Sequence, residues 1–111
     1  MDRKLTGAEF AARRHLIGLT LDELAAALGV NPRTTRAWES GRDRVPARIG
    51  GELSALIAEH TALVDRLLDA GAPVVIPWNR AARVAGRPRG WFVAAVARAV
   101  AVEPDVEADW S

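Results

Sequence analysis

Along the first half of the chain, short apolar groups recur at helical spacing, each bounded by a Thr or Asn in front and a Gly behind. Thr6 followed by Glu9 fits a capping box, in which the Thr side chain accepts an orphan backbone N–H and the Glu carboxylate reaches back to the cap. The spacing predicts a helix that puts Phe10 and Ile17 on one face and ends at Gly18, because glycine readily adopts the left-handed conformation beyond a helix end. Thr20 and Glu23 repeat the device and open a short helix with Leu24, Ala25 and Leu28 inward, closed by Gly29. Asn31 can cap a third short helix with Pro32 in its first position, where the missing N–H costs nothing. That helix runs to Gly41 with Thr35 and Trp38 inward. Pro46 suits the first position of the longest helix, whose stripe is Ile49, Leu53, Leu56, Ile57, His60, Leu63, Val64, Leu67 and Leu68. Gly50 and Gly51 cost roughly 1 kcal/mol each relative to Ala in a helix. They predict a kinked or separate first turn, and Gly71 ends the helix.

From Ala72 the rhythm changes. Val74, Val75 and Ile76 are a β-branched run stopped by Pro77, which reads as a short strand. Residues 79–90 are rich in Arg and Gly and read as a connector. Trp91, Phe92, Ala95, Val96, Ala99 and Val100 return to helical spacing, and Val106, Ala108 and Trp110 alternate with acids in the period of a half-buried strand. The fold class expected is mainly α: a helix-turn-helix domain of four to five helices over residues 1–71, then a small α/β dimerisation domain, a β-α-β tail, over residues 72–111.

Composition narrows the function. The chain has 111 residues, half of them apolar and 26% charged, and no cysteine. It fits one domain or one small domain with an appendage and excludes a large multi-substrate enzyme. Disulfides and thiolate metal sites are impossible without cysteine, and two isolated histidines, His15 and His60, make no zinc site. The expectation is no metal and no cofactor. No apolar run reaches the ~18 residues of a membrane span, and the first twenty residues are too charged for a secretory signal, which points to the cytoplasm and to no membrane partner. No Ser/His/Asp or Cys/His triad can be assembled, so an enzyme is not expected. The net charge of +1 hides an asymmetry. Residues 1–50 hold nine Arg/Lys against six Asp/Glu, and residues 51–111 hold six against eight. A polyanion would therefore meet the front half.

The segment LDELAAALGVNPRTTRAWES, residues 21–40, joins two short helices through a tight Gly turn, with small Ala25 where the helices approach. This is the pattern of a helix-turn-helix. The longer string GLTLDELAAALGVNPRTTRAWESGRDRVP resembles the Cro/lambda-repressor type (XRE-like) DNA-binding domains in its G-L-T, L-A, L-G-V and W-E-x-G positions, and the resemblance covers roughly residues 4–70. It implies a third helix laid in the major groove, with Pro32, Arg33, Arg36 and Ala37 facing the bases. Of these, only Arg33 and Arg36 can donate the bidentate pair that guanine O6 and N7 accept. Asn31 and Thr34 flank them, and Thr20, Arg42 and Arg44 are suited to the phosphate backbone. The resemblance also implies an internal ion pair between Arg14 and Glu39. Trp38 belongs to the core by its spacing, and His60, inside an apolar stripe, reads as a hydrogen-bonded core histidine. Two departures from the family pattern stand out. Thr35 occupies a position where relatives place Val or Ile, and Pro32 occupies one often used for base contact.

A single unit of this kind makes few base contacts, so a homodimer on a pseudo-palindromic double-stranded DNA operator is expected. Two short strands are marginal alone, and pairing two tails across a two-fold axis would complete them. Trp78, Trp91, Phe92, Val96 and Trp110 are the candidate interface anchors. The layout is similar to autorepressors associated with anti-CRISPR operons. The sequence therefore reads as a transcriptional repressor, with two competing readings. One is an antitoxin that also neutralises a toxin protein. The other is an RNA-binding regulator, motivated by Arg80, Arg83, Arg87 and Arg89 beside Trp78 and Trp91.

Overall fold

The computed structural model describes residues 4–111, so the first three positions of the domain expected over 1–71 lie outside the described residues. The elements are α1 (Gly7–Leu16), α2 (Leu21–Leu28), α3 (Pro32–Glu39), α4 (Ala47–Ala70), β1 (Val74–Ile76), β2 (Arg83–Val84), β3 (Arg87–Pro88), α5 (Arg89–Val102) and β4 (Ala108–Trp110). The protein is mainly helical with a short β-containing tail. Its residues form two compact units, the first ending at Ile57 and the second running from Ala58 to Ser111, so α4 takes part in both.

In the first unit the caps do what their spacing predicts. Thr6 and Thr20 each accept the backbone N–H three residues on, at 3.1 Å, and Glu9 and Glu23 return the bond to the cap N–H at 2.9 Å. Asn31 Oδ1 accepts from Arg33 N–H at 2.8 Å. Gly29 turns the chain between α2 and α3 at φ 69°, a left-handed conformation that costs a side-chain-bearing residue energy. Phe10, Ile17, Leu24, Ile49 and Leu53 are fully buried, and Trp38 packs edge-on to Phe10 with ring centroids 5.8 Å apart. Leu28 is only half-buried. Thr35 is fully buried as expected, and its hydroxyl donates to the Pro32 carbonyl at 2.8 Å, which removes the penalty of an unpaired polar group. The first turn around Gly50 and Gly51 is not separate from the rest of the helix. α4 is continuous from Ala47, because burying Ile49 and Leu53 contributes ~1.5–3 kcal/mol each and outweighs the cost of the two glycines. Pro46 sits one residue before the first position, where its carbonyl accepts from Ile49 and Gly50.

The second unit contains the parallel pair β1–β4, in register Val74↔Ala108, Val75↔Asp109 and Ile76↔Trp110. Parallel strands need a crossover, and α5 lies within it. Val74 and Ile76 form a core with Phe92 and Val96, joined by Leu63 and Leu67, while Ala95 and Ala99 pack with Val64. Two expectations fail here. The connector over residues 79–90 contains the hairpin β2–β3, whose two-residue turn places both Ala85 and Gly86 at positive φ. β4 is not half-buried: Ala108, Asp109 and Trp110 are all exposed, because β4 covers only the edge of β1.

His60 is fully buried between two partners of opposite demand. The Trp91 carbonyl, 2.9 Å from Nε2, can only accept, and the Arg98 guanidinium, 2.9 Å from Nδ1, can only donate. The ring is therefore neutral with its proton on Nε2. Burial first, and then the Arg98 charge, hold its pKa below the ordinary 6.5, against the raising effect of the Trp91 bond.

Two outcomes follow from this packing. The unfolded chain protonates His60 near its ordinary pKa and the folded chain only at lower pH, so the histidine's contribution is complete above about pH 6.5 and is lost as pH falls toward the folded value. Urea midpoints measured from pH 7.5 to 5 should decline through that window, and His60→Gln should flatten the decline. A Cβ at Gly7 would strike the backbone carbonyls of Glu39 and Trp38, so Gly7→Ala should destabilise the protein by ~1–3 kcal/mol in chemical denaturation.

Candidate nucleic-acid interface

α3 is eight residues long, and its register divides the side chains sharply. Thr35, Ala37 and Trp38 are buried, while Asn31, Arg33 and Arg36 are exposed and Thr34 is half-buried. Of the four positions expected to face a groove, Arg33 and Arg36 do lie outward and Pro32 is half-exposed. Ala37 is small and largely covered, yet it lies one turn on from Arg33 on the same side of the helix. A cleft of about 320 Å³ is lined by Arg33, Arg36, Ala37, Ser40 and Arg42. Three guanidinium groups border it, and its lining includes no carboxylate.

The orientation of α3 is fixed from below. Arg14, on α1, donates from Nε and Nη2 to the two oxygens of Glu39 at 2.8 and 3.1 Å, and from Nη1 to the Leu19 carbonyl at 3.0 Å. The two side chains of the pair are only 13% and 21% exposed, so the bidentate bond is largely sheltered from water. It also turns the Glu39 carboxylate away from the arginine face. This is the ion pair that the sequence reading placed between these residues.

The arginines themselves are in three different states. Arg33 and Arg44 are exposed, and neither side chain has a polar partner among the described residues. Arg36 donates from Nη2 to Asp22 Oδ1 on α2 at 2.9 Å, with both side chains more than half exposed. Arg42 lies 3.7 Å from Asp43 in the open. Thr20 and Asn31 use one acceptor each for their caps, which leaves the Thr20 hydroxyl proton and the Asn31 amide hydrogens to donate outward. The first amides of α3 are all satisfied, since Arg33 N–H goes to Asn31 Oδ1 and Thr34 and Thr35 N–H go to the Asn31 carbonyl. An anion at this helix would meet side chains rather than free amides. Asp22 was not among the residues singled out from the sequence. The signal that could have found it is its place in the first turn of α2, across the Gly29 turn from Arg36.

The chain matches no family model and no curated protein. Among the described residues, no helix is long and apolar enough to cross a membrane, and no group of three His, Asp or Glu gathers to hold a metal.

In the second unit, the five candidate interface anchors separate into two sets. Trp91, Phe92 and Val96 are buried inside the protomer, with Trp91 edge-on to His60 at 4.6 Å, so they are not offered to a partner. Helical spacing marked them as buried but could not tell an internal core from an interface. Trp78 and Trp110 are 66% and 45% exposed and pack edge-on to each other at 5.3 Å. The four arginines of this region are similarly divided. Arg87 is bound bidentately by Glu59 at 2.8 Å, which holds the Glu59 carboxyl below its ordinary pKa, and it lies over Trp91. Arg83 donates to the Gly86 carbonyl. Arg80 and Arg89 line a cleft with Trp78, Asn79 and Trp110, and the Arg89 guanidinium lies 4.6 Å from the centre of the Trp110 ring.

Because no other carboxylate among the described residues bonds to Arg14, Glu39→Gln should lower stability by ~1.5–3 kcal/mol through the loss of the charge-assisted pair. Thermal and chemical unfolding measure the loss, and a variant as stable as the parent would mean that α3 is held by apolar packing alone.

Proposed function

We propose that the protein is a sequence-specific DNA-binding transcriptional repressor of the Cro/lambda-repressor type that acts in the cytoplasm as a homodimer on a pseudo-palindromic operator. The observation that carries this reading is the outer face of α3. It is short, tied to α1 through Glu39, and its cleft is bordered by three guanidinium groups, of which Arg36 is bonded to Asp22 from α2 and Arg33 has no polar partner among the described residues. Arg33 and Arg36 have the donor geometry for guanine edges in the major groove. Arg42, Arg44, Thr20, Asn31 and Thr34 serve as backbone contacts that set register without reading sequence. The protein performs no chemistry in this role; it excludes polymerase by occupancy.

Pairing of two protomers supplies a second half-site ~34 Å away along the DNA. The surface that favours pairing is the exposed Trp78–Trp110 pair on a sheet of two strands, since two strands alone are marginal in water. No feature of the fold favours toxin neutralisation. The RNA reading is weakened by the local bonds of Arg83 and Arg87, which leave Arg80 and Arg89 as the cations beside exposed indoles.

The reading is tested by equilibrium binding to a labelled duplex covering the gene's own upstream region, against a scrambled duplex and the matching RNA, over a salt series. Selective binding of the native duplex with two protomers at saturation is expected. Arg36→Ala should cost ~1–3 kcal/mol and relax preference at one base position, whereas Arg44→Ala should weaken all sequences alike and flatten the salt dependence by about one unit of slope. Tighter binding of the RNA, or no preference among duplexes, would contradict the reading.

A further inference from the structure

We propose that Asp22 is the residue that makes Arg36 a reader of bases rather than a binder of phosphates. This rests on the DNA-binding reading of α3 and assigns to one carboxylate the discrimination of that surface. The observation is an asymmetry between two arginines one helical turn apart. Arg33 has no polar partner among the described residues, and Arg36 is paired with Asp22 through a 2.9 Å bond from Nη2.

The pairing affects the two possible ligands of Arg36 in opposite ways. A phosphate is drawn mainly by net charge, and a guanidinium bonded to a carboxylate presents almost none. The Asp22 oxygens, 66% exposed as a side chain, would also face an incoming phosphate and repel it. A guanine edge is neutral and offers two acceptors, N7 and O6, to two parallel N–H groups. Nη2 has two hydrogens, one on each of the two donor edges to which it contributes. Giving one hydrogen to Asp22 leaves the other edge complete, whichever hydrogen is used. The pair therefore keeps the geometry that guanine needs and removes the charge that non-specific DNA exploits. It also holds a side chain that would otherwise lose its rotamer freedom on binding. Among the described residues no comparable brake acts on Arg44, which supplies attraction to the backbone.

Two substitutions separate charge from position. Asp22→Asn keeps an oxygen acceptor and removes the charge, and Asp22→Ala removes both. Neither touches the cap of α2, which is made by Thr20 and Glu23, so both variants keep the fold. In the titration of native and scrambled duplexes, Asp22→Asn should raise affinity for the scrambled duplex by about 3- to 10-fold and steepen the salt slope by about one, since one more cation then meets phosphate. Native-duplex affinity should rise less, so the preference narrows, and Asp22→Ala should narrow it further. In an Arg36→Ala background, Asp22→Asn should raise affinity for both duplexes alike and by less, because only the repulsion of phosphate is then removed, and the preference should not change. A preference and salt slope equal to the parent's in both variants would overturn the assignment, as would a narrowing of the preference that persists without Arg36. The parent protein decides the underlying reading in the same experiment: if it does not discriminate between the duplexes, DNA recognition falls and this assignment with it, whereas parental discrimination left unaltered in both variants removes the role of Asp22 alone.

Discussion

The bidentate bond from Arg14 to Glu39 ties α1 to the last turn of α3, and the arginine face depends on it. An eight-residue helix is too short to be stable in water, because nucleation is costly and few bonds follow it. α3 must borrow its order from its neighbours. It does so through the Arg14–Glu39 pair, through Trp38 packed on Phe10, and through Gly7, where the absence of a Cβ lets the start of α1 approach the carbonyls of Trp38 and Glu39. These three contacts act on one end of the helix and leave its outer surface uncovered.

A rigid short helix with a free face is a device for presenting a few side chains at fixed spacing. Burial of Thr35 and Trp38 leaves Arg33 and Arg36 outward, one turn apart. Electrostatics then differentiate them. Glu39 is held by Arg14 and stays out of the cleft, while Asp22 reaches Arg36 from α2. Two carboxylates thus bond differently around α3: Glu39 ties the helix to α1, and Asp22, 14 residues away in sequence, bonds a single guanidinium.

Much of the first unit was legible because its signals are local. A Thr with a Glu three residues later defines a cap without reference to the rest of the chain, and Thr6, Thr20 and Asn31 each mark a helix start within one residue. The Arg14–Glu39 pair, 25 residues apart, was reached only through family resemblance. The second unit was harder to read. Its hairpin turns on Ala85 and Gly86, and an alanine at positive φ lacks the Asn-Gly or Asp-Gly signature that marks such turns. The alternation around Trp110 gave the right strand and the wrong burial, because period alone does not say whether anything covers the face. Trp91, Phe92 and Val96 read as buried, but their partners, among them Val74, Ile76 and His60, belong to the same protomer.

The central claim is that nucleic acid is met by the outer face of α3. Amide chemical-shift mapping of the isotope-labelled protein, titrated with its own upstream duplex, tests it most directly. The account predicts the largest perturbations at Thr20, Asn31, Arg33, Thr34, Arg36, Arg42 and Arg44, with buried Thr35 and Trp38 following more weakly. Perturbations concentrated instead at Trp78, Arg80, Arg89 and Trp110, with α3 unmoved, would contradict it.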